Sequence, residues 1–358
     1  MIKFLKIFFA IVFSPIILFF AFILFLSLVE WKPSRIENLQ ISGNTRLQIS
    51  TSREISILSW NIGYASLGDN ADFFMDGGKS VISSSKTRIN ENLISIKNFI
   101  SELDADILLL QEVDKFSSRS RKVNQYDFFM NNFSKYSASF ANNYKCIFVP
   151  FPFPPLGKID SGVLSLSKFD FSSCQRLQLP VPFTWPVRLA NLKRCLLISR
   201  VPISNSEKEL VLVNLHLEAY DEGDGKKAQT EELYALIKSE YDKGNYVIAA
   251  GDFNQTFSNV DLSSYKQEEG RWQAGKIDVN IFEDDFHCLM NSDIPSCRSL
   301  HASYKDANKE SFQYYIIDGF LISKNITVLD CKTLDLGFKN SDHNPVVAKV
   351  KLEGTLKN

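Results

Sequence analysis

Short apolar runs that each end in a polar residue recur along this chain, and they constrain its fold more than any other feature. The runs cover residues 55–61, 107–112, 210–216 and 246–254, and their polar ends are Asn61, Glu112, His216, Asp252 and Asn254. Runs of this length that are rich in Val, Ile and Leu are typical of buried β-strands. Because polar groups at strand ends meet at one edge of a sheet, where α/β enzymes commonly bind ligands, the pattern predicts a functional site there.

The remaining periodicity predicts the fold class. Apolar residues spaced three and four apart predict one amphipathic helix over residues 87–103 and another over residues 226–241. Further strands are predicted at residues 162–166, 195–203, 313–323, 327–334 and 345–352. Many strands with few helices favour an α/β fold in which two sheets pack together and the helices lie outside.

The N-terminal segment predicts a membrane anchor. Residues 7–29 contain no charged side chain, and a helix of that length spans about 30 Å of hydrocarbon. A cleaved secretory signal is the alternative, but its apolar part is about 7–15 residues long and precedes a small-residue cleavage site. We therefore expect a transmembrane anchor over residues 1–29, a linker over residues 30–52 and one domain over residues 53–358.

The sequence constrains the membrane topology and the redox state of the cysteines less. Basic residues lie on both sides of the apolar segment, so the positive-inside rule does not decide the topology. We expect a single-pass protein with its domain outside the cytoplasm, as for an uncleaved signal-anchor. Cys288 and Cys297 lie close enough in sequence to close a short disulfide loop, and buried free thiols are the alternative.

The charge balance argues against strong non-specific binding of nucleic acid. The formal net charge is −1, although residues 1–35 contain four basic side chains and one acidic side chain. The rest of the chain is therefore acidic overall, whereas proteins that bind nucleic acid non-specifically rely on many Lys and Arg contacts to phosphates. Nucleic acid remains an alternative partner that this balance does not favour.

Six motifs in a fixed order resemble the endonuclease/exonuclease/phosphatase superfamily, which includes deoxyribonuclease I-like nucleases, inositol-phosphate phosphatases and neutral sphingomyelinases. They are Trp-Asn at 60–61, Gln-Glu-Val at 111–113, Asn-Leu-His-Leu at 214–217, Gly-Asp-Phe-Asn at 251–254, Ile-Asp-Gly at 317–319 and Ser-Asp-His-Asn-Pro at 341–345. Each motif alone is weak, but all six occur in the right order over about residues 53–353. The resemblance implies a four-layered α/β sandwich, with two packed mixed β-sheets flanked by helices.

The resemblance also implies roles for eight side chains. It assigns His216, Asp252, Asn254, Asp318 and His343 to catalysis, and Asn61, Glu112 and Asp342 to a metal site. Asp318 is expected to hold His343 in one tautomer, as carboxylates commonly do for a catalytic histidine. Oxygen ligands favour Mg²⁺ as the cofactor, with Mn²⁺ or Ca²⁺ as alternatives.

Two loops rich in proline and aromatic residues, at residues 148–156 and 179–186, are excluded from strand or helix interiors by their prolines. They are expected either to line the substrate entrance and contact lipid, or to cover an edge of the core. The anchor makes the lipid bilayer an expected partner and a phospholipid headgroup or small phosphoester the expected substrate. We therefore expect a metal-dependent phosphoester hydrolase. A membrane-tethered nuclease and a catalytically inactive binding module are the alternatives.

Overall fold

Two mixed β-sheets pack face to face in the computed structural model, which describes residues 2–221 and 223–353. The strands are β1 (Ile36–Asn38), β2 (Glu54–Asn61), β3 (Ile107–Asp114), β4 (Ser137–Val149), β5 (Gly157–Ser167), β6 (Ser173–Gln178), β7 (Cys195–Pro202), β8 (Glu209–His216), β9 (Tyr246–Asp252), β10 (Gln255–Phe257), β11 (Gly275–Ile277), β12 (Phe286–Leu289), β13 (Cys297–Arg298), β14 (Tyr314–Tyr315), β15 (Asp318–Ser323), β16 (Ile326–Thr333) and β17 (Val346–Leu352). The helices are α1 (Ile2–Leu28), α2 (Lys86–Leu103), α3 (Gln125–Asn132) and α4 (Asp224–Asp242).

The two large sheets have a similar arrangement, in which one parallel pair of strands is flanked by antiparallel strands. One has six strands in the order β16-β17-β2-β3-β5-β4, and the other has seven in the order β1-β6-β7-β8-β9-β15-β12. Each contains one parallel pair, β2 with β3 and β8 with β9, and the other neighbours are antiparallel. The parallel pairs therefore send two carboxyl ends from each sheet to the same edge of the sandwich.

Alternating side chains divide each strand between the inside of the sandwich and its outer faces. On β2, Ile57 points into the core between the sheets, whereas Leu58 points outward beneath the helices. On β8, Leu212 joins the same inner core, and Val213 faces the opposite outer layer. This alternation is the expected consequence of the two-residue repeat of a strand.

Helices cover both outer faces. The apolar side of α2 packs on the six-stranded sheet through residues that include Ile89, Ile96 and Ile100. Leu233 and Ile237 of α4 pack on the seven-stranded sheet. The structure therefore confirms the predicted four-layered α/β sandwich, with both predicted helices in the outer layers.

A buried polar contact joins the two sheets near the edge where their parallel strands end. Gln111 Nε2 donates to Asn214 Oδ1 at 2.8 Å, and Asn214 Nδ2 donates to the Leu164 carbonyl at 3.1 Å. Both amides are fully buried, where an unpaired polar group would cost about 1–3 kcal/mol. These bonds therefore favour one alignment of the two sheets and so help to position the strand ends described below.

The N-terminal helix is long and apolar enough to cross a membrane by its length and composition, and its residues Ile11–Leu28 are mostly exposed. The segment that follows this helix is not a free linker. Ile36–Asn38 pair with β6 at the edge of the seven-stranded sheet, and Ile49 is fully buried in the core between the sheets. Part of the segment predicted as a linker thus packs on the domain.

The cysteines do not pair among the residues that the structure describes, which include all six of them. Cys288 lies on β12 opposite Leu321 of β15, whereas Cys297 lies on β13 and forms a β-bridge with His343. The two thiols are therefore held on different elements, and the structure has the free-thiol alternative rather than the disulfide loop.

Candidate active site

The edge where the parallel strands end brings the predicted site residues together. Asn61 ends β2 and His216 ends β8, so both lie at carboxyl ends of parallel strands. Asp318 begins β15, which runs antiparallel to β9, so its amino end reaches the same edge. The predicted catalytic and metal residues meet in one cavity of about 300 Å³, whose lining includes seven of the eight. The eighth, Asp318, lies behind His343.

Asp252 is central to this arrangement. Its Oδ2 accepts a hydrogen bond from Asn61 Nδ2 at 3.0 Å and lies 3.4 Å from His216 Nε2 and 3.7 Å from His343 Nε2. Its Oδ1 accepts the backbone N–H of Asn254 at 2.8 Å. Burial raises the pKa of Asp252 above its ordinary value; the nearby His343 opposes that rise and the charge of Asp318 adds to it. The carboxylate is thus shared among several polar groups and is almost fully buried.

His343 is oriented by Asp318. The distance from His343 Nδ1 to Asp318 Oδ2 is 2.8 Å, and both side chains are buried. Burial alone would lower the pKa of His343, but Asp318, with further help from Asp252, outweighs it and raises that pKa well above its ordinary value. Nδ1 therefore serves as the fixed side of the ring, and Nε2 faces Asp252 and the cavity.

Glu112 reaches the cavity through an irregularity in β3. The pairing of β3 with β5 shifts register between Leu110 and Val113, so a β-bulge includes Glu112. Glu112 has a φ of 56°, which costs a residue with a Cβ atom about 1–3 kcal/mol of backbone strain. Bulges commonly re-aim a side chain beside an active site, and this one directs the carboxylate into the cavity.

The acidic residues at this edge fit a hard divalent cation. Glu112 Oε2 is buried and has no hydrogen-bond partner. Burial raises the pKa of both Glu112 and Asp342, and the charge of Asp342 also contributes to the rise at Glu112. A cation bound between the two carboxylates would offset this cost, and carboxylate oxygens are the ligands that Mg²⁺ prefers.

Asn61 lies between the two parts of the site. Its Nδ2 donates to Asp252, and its Oδ1 accepts the backbone N–H of Gly63 at 3.0 Å. The amide therefore contacts the central carboxylate directly, and its assignment to the metal stays a prediction.

Asn254 has a φ of 52°, and its Nδ2 donates to the Leu217 carbonyl at 2.8 Å. This bond fixes the turn that follows β9.

The surroundings of His216 favour its neutral form. Its Nδ1 is buried without a hydrogen-bond partner. Burial lowers the pKa of His216 well below its ordinary value, and the positive charge of Arg194 lowers it further. A neutral imidazole can donate from only one nitrogen, so His216 suits contact with an oxygen of the substrate more than proton storage.

Two buried arginines in the cavity wall were not predicted from the sequence. Arg194 donates to the His216 carbonyl at 3.1 Å and pairs with Glu218 at 3.2 Å. Arg119 pairs with Asp114 at 3.0 Å and stacks over the ring of Tyr64. Arg194 directly precedes β7, whose amino end lies at the active edge because β7 is antiparallel to β8. That position was a usable signal, whereas nothing in the sequence around Arg119 distinguishes it.

Close backbone packing beneath the site depends on Gly251. A Cβ atom at this position would lie 1.9 Å from the Leu215 carbonyl oxygen of the neighbouring strand. The close neighbour of Gly251 is therefore the backbone of β8 itself. The glycine thus lets β8 and β9 approach each other directly below His216 and Asp252.

A model described as the endonuclease/exonuclease/phosphatase family matches residues 58–343 of the chain. No curated protein matches the sequence.

Solved structures with the same fold are similar to this chain at low sequence identity. An endonuclease/exonuclease/phosphatase from Beutenbergia cavernae aligns with a TM-score of 0.57 and 18% identity, covering 84% of this chain and 72% of its own. One from Bacteroides vulgatus aligns with a TM-score of 0.52 and 15% identity, covering 84% of this chain and 100% of its own. The human Nocturnin catalytic domain with bound sulfate aligns with a TM-score of 0.50 and 16% identity, covering 88% and 97%.

Proposed function

The chain belongs to the endonuclease/exonuclease/phosphatase family, and from this premise we propose that it is a Mg²⁺-dependent phosphoester hydrolase that acts at a membrane on a phospholipid headgroup or another small phosphoester. The observation that carries the proposal is the clustering of polar side chains around Asp252. Its Oδ2 lies within 3.7 Å of Asn61 Nδ2, His216 Nε2 and His343 Nε2. A phosphoryl group and an attacking water need this kind of clustered donors and acceptors.

In the proposed reaction, a water attacks the phosphorus and the alcohol leaves from the opposite side. Asp252 or His343 accepts the proton of that water, and general acid–base assistance of this type contributes about 10²–10⁴-fold. Asp318 keeps His343 in one orientation through the 2.8 Å contact. His216 and Asn254 contact the phosphoryl oxygens. No covalent intermediate is required.

Glu112 and Asp342, with Asn61 beside them, would hold the divalent cation. A bound cation of this kind withdraws charge from a phosphoryl oxygen and stabilises negative charge in the transition state. The all-oxygen donor set suits a hard divalent cation, with Mg²⁺ as our first choice and Mn²⁺ or Ca²⁺ as alternatives.

The membrane part of the proposal is supported by contacts between α1 and the two proline-rich loops. Phe22 packs edge-to-face against Phe148 with ring centroids 6.0 Å apart, and Trp185 Nε1 donates to Ser27 Oγ at 3.1 Å. Glu30, just after the helix, pairs with Lys193 at 2.6 Å. These contacts support a domain held close to the bilayer, if α1 spans it as a single-pass anchor.

The same loops reach the cavity. Leu156 and Phe183 contribute to its lining, while Phe151 and Phe153 are 70% and 96% exposed. Exposed aromatic residues beside a candidate membrane span are typical of groups that enter the interfacial region. Apolar side chains in the cavity lining, on loops that contact a candidate membrane anchor, support a lipid substrate more than a nucleic acid, and an extracytoplasmic domain remains our expectation.

The test uses the full chain in detergent micelles with bis-p-nitrophenyl phosphate and Mg²⁺. We expect hydrolysis that His343→Ala and Glu112→Gln each lower by at least about 100-fold. Glu91→Gln, an exposed change on α2 outside the cavity, is the matched control and should retain the activity. Folded protein that hydrolyses no phosphoester with Mg²⁺ or Mn²⁺ would contradict the proposal and favour a binding module.

A further inference from the structure

One part of the cavity wall has no role in the proposed hydrolysis. It consists of the carboxylate of Asp76 and the aromatic side chains of Tyr220, Trp272 and Tyr315, all of which line the cavity. Asp76 ends a short 3₁₀ turn, Phe74–Asp76, in the long connection between β2 and α2. The aromatic residues come from the segment after β8, the segment before β11, and β14. Four distant parts of the chain thus converge on this wall.

Two of the three rings are fixed through their own polar ends. Trp272 and Tyr315 meet edge-to-face with centroids 5.0 Å apart, and Tyr220 lies 6.5 Å from Trp272. Trp272 Nε1 donates to the Ala219 carbonyl at 2.9 Å, and the Tyr315 hydroxyl donates to the Trp272 carbonyl at 3.0 Å. Because the indole N–H and this hydroxyl are already bonded, these two side chains offer the cavity mainly aromatic surface.

Asp76 has no cationic partner in this wall. Within residues 2–221 and 223–353, no Lys, Arg or His nitrogen lies within 4.0 Å of its carboxylate oxygens. Burial, and secondly the charge of Asp342, raise the pKa of Asp76 to about 6. Burial is the main cause of the raised pKa of the Tyr220 and Tyr315 phenols, and the charge of Asp76 adds to it. The backbone amide of Leu300 and the more distant charges of His343 and Arg298 partly stabilise the Asp76 carboxylate, and a cation in the cavity would stabilise it further.

We propose that Asp76, Tyr220, Trp272 and Tyr315 form a subsite for an alkylated ammonium group carried by the phosphoester substrate. The inference rests on the proposed function and names its substrate class. Aromatic faces attract ammonium groups through the negative charge of their π-systems, and quaternary ammonium groups are commonly recognised by such clusters of rings. Asp76 supplies the net charge, and the rings supply the apolar contact that the alkyl substituents require.

A second metal ion fits this wall less well than an organic cation. Mg²⁺ and Ca²⁺ need six or more oxygen ligands, several of them from the protein or from ordered water. Asp76 is the one carboxylate among the four wall residues, and Asp342, whose charge also acts on Asp76, is assigned to the cation proposed above. The other three wall side chains are aromatic, and the Tyr315 hydroxyl is already bonded to a carbonyl, so this wall suits an alkylated organic cation more than a second hard cation.

The test compares two phosphodiesters that differ in a single atom. One is p-nitrophenyl phosphorylcholine, and the other is the 3,3-dimethylbutyl ester, in which carbon replaces the ammonium nitrogen. With the full chain in detergent and Mg²⁺, we expect kcat/KM to be about tenfold or more higher for the choline ester. Asp76→Asn and Trp272→Leu should each bring the ratio of the two kcat/KM values close to one. Asp284→Asn removes the same charge at an exposed position outside the cavity and should keep the wild-type ratio.

The outcomes separate the subsite from the proposed function. If neither ester nor bis-p-nitrophenyl phosphate is hydrolysed, the proposed function fails. If both esters are hydrolysed with equal kcat/KM by the wild type, the hydrolase stands and the subsite is overturned. The subsite is also overturned if Asp76→Asn lowers both rates equally and raises the Mg²⁺ concentration needed for half-maximal rate, since Asp76 would then be a metal ligand. Competitive inhibition by tetramethylammonium chloride, beyond that of equal NaCl, would support it further.

Discussion

At the scale of single residues, Glu112 combines two costs that a functional role would explain. Its φ of 56° strains the backbone, and its Oε2 is buried without a partner. We expect Mg²⁺ to stabilise the wild type, by about 2.7 kcal/mol at a concentration 100 times the dissociation constant. Glu112→Gln should lose most of this gain and be at least as stable as the wild type in EDTA, because the uncompensated charge is gone.

Thermal unfolding of both proteins in detergent, with EDTA and with increasing Mg²⁺, measures this directly. The exposed change Glu91→Gln on α2 serves as the control for the loss of one negative charge. Equal stabilisation of the wild type and Glu112→Gln by Mg²⁺ would show that the cation binds elsewhere.

Asp318 is a positioning residue, since it contacts His343 at 2.8 Å but does not line the cavity. Asp318→Asn keeps the shape of the side chain but replaces an acceptor by an amide that can turn either end to Nδ1. We expect kcat for bis-p-nitrophenyl phosphate to fall by roughly 100-fold, while KM changes by less than about threefold. A variant that folds normally, as judged by near-UV circular dichroism, and keeps the wild-type kcat would contradict this assignment.

Sequence patterns were sufficient to select eight residues that the structure brings to one edge, because each one belongs to a motif or ends an apolar run; their roles stay predictions. Asp76 and Arg119 carry no such mark, and Arg194 is marked only by its position directly before the apolar run of β7. Asp76 lies in a long connection whose path depends on tertiary contacts, such as the hydrogen bond from the Phe73 amide to the Leu300 carbonyl. The residues that line the wall therefore follow from how distant segments meet, which periodicity along the chain does not encode.

At the scale of elements, α4 is fastened to the seven-stranded sheet by Glu240. This buried carboxylate accepts hydrogen bonds from Arg200 of β7 at 2.8 and 3.0 Å, and from Asn245 before β9 at 2.8 Å. Burial alone would raise the pKa of Glu240, but the bonds from Arg200, Lys243 and Asn245 outweigh it and lower that pKa from 4.5 to about 2. A lowering of this size corresponds to about 3 kcal/mol of folding free energy.

Because the folded-state pKa is depressed, this contribution is complete above about pH 5 and is lost as the pH falls toward about 2. We expect Glu240→Gln to lower the free energy of unfolding by roughly 3 kcal/mol at pH 7, and the difference from the wild type to shrink through that window. Denaturant unfolding at several pH values measures it. Glu231→Gln, an exposed change on the same helix, should differ little at any pH. A difference for Glu240→Gln that stays constant down to pH 2.5 would rule out this origin.

Strands with continuous apolar runs were predictable, whereas β4 was not. Residues 137–149 include Ser137, Asn142, Asn143 and Lys145, so no simple alternation marks them. In the structure, Arg176 Nε donates to the Asn142 carbonyl and Asn142 Nδ2 donates to Asp160 Oδ1, both at 2.8 Å. Polar residues are therefore accommodated within this strand by partners from other elements. The loop predicted at residues 148–156 begins two residues later in the structure, because β4 extends to Val149.

At the scale of the whole molecule, the C-terminal turns of α1 and the exposed aromatic loops lie on one side of the domain. Phe151 contacts Phe74 edge-to-face with centroids 6.0 Å apart, and Phe74 begins the turn that carries Asp76. Phe153 projects with 96% of its surface exposed. If α1 spans the bilayer, these exposed rings lie beside the anchor, where they can enter the interface.

We expect the double change Phe151→Ser and Phe153→Ser to lower hydrolysis of lipid at least about tenfold relative to hydrolysis of bis-p-nitrophenyl phosphate by the same preparation. Each Phe ring transfers roughly 1.5–3 kcal/mol of apolar free energy when it leaves water, so losing two rings weakens the seating of the entrance on the bilayer. The full chain is reconstituted in vesicles that contain a choline phospholipid, and both initial rates are measured. The double change Ile94→Ser and Leu329→Ser removes two other exposed apolar side chains, from α2 and β16, and should keep the wild-type ratio. An unchanged ratio in the Phe variant would show that α1 alone brings the domain to its substrate and that the aromatic loops only cover the edge of the core.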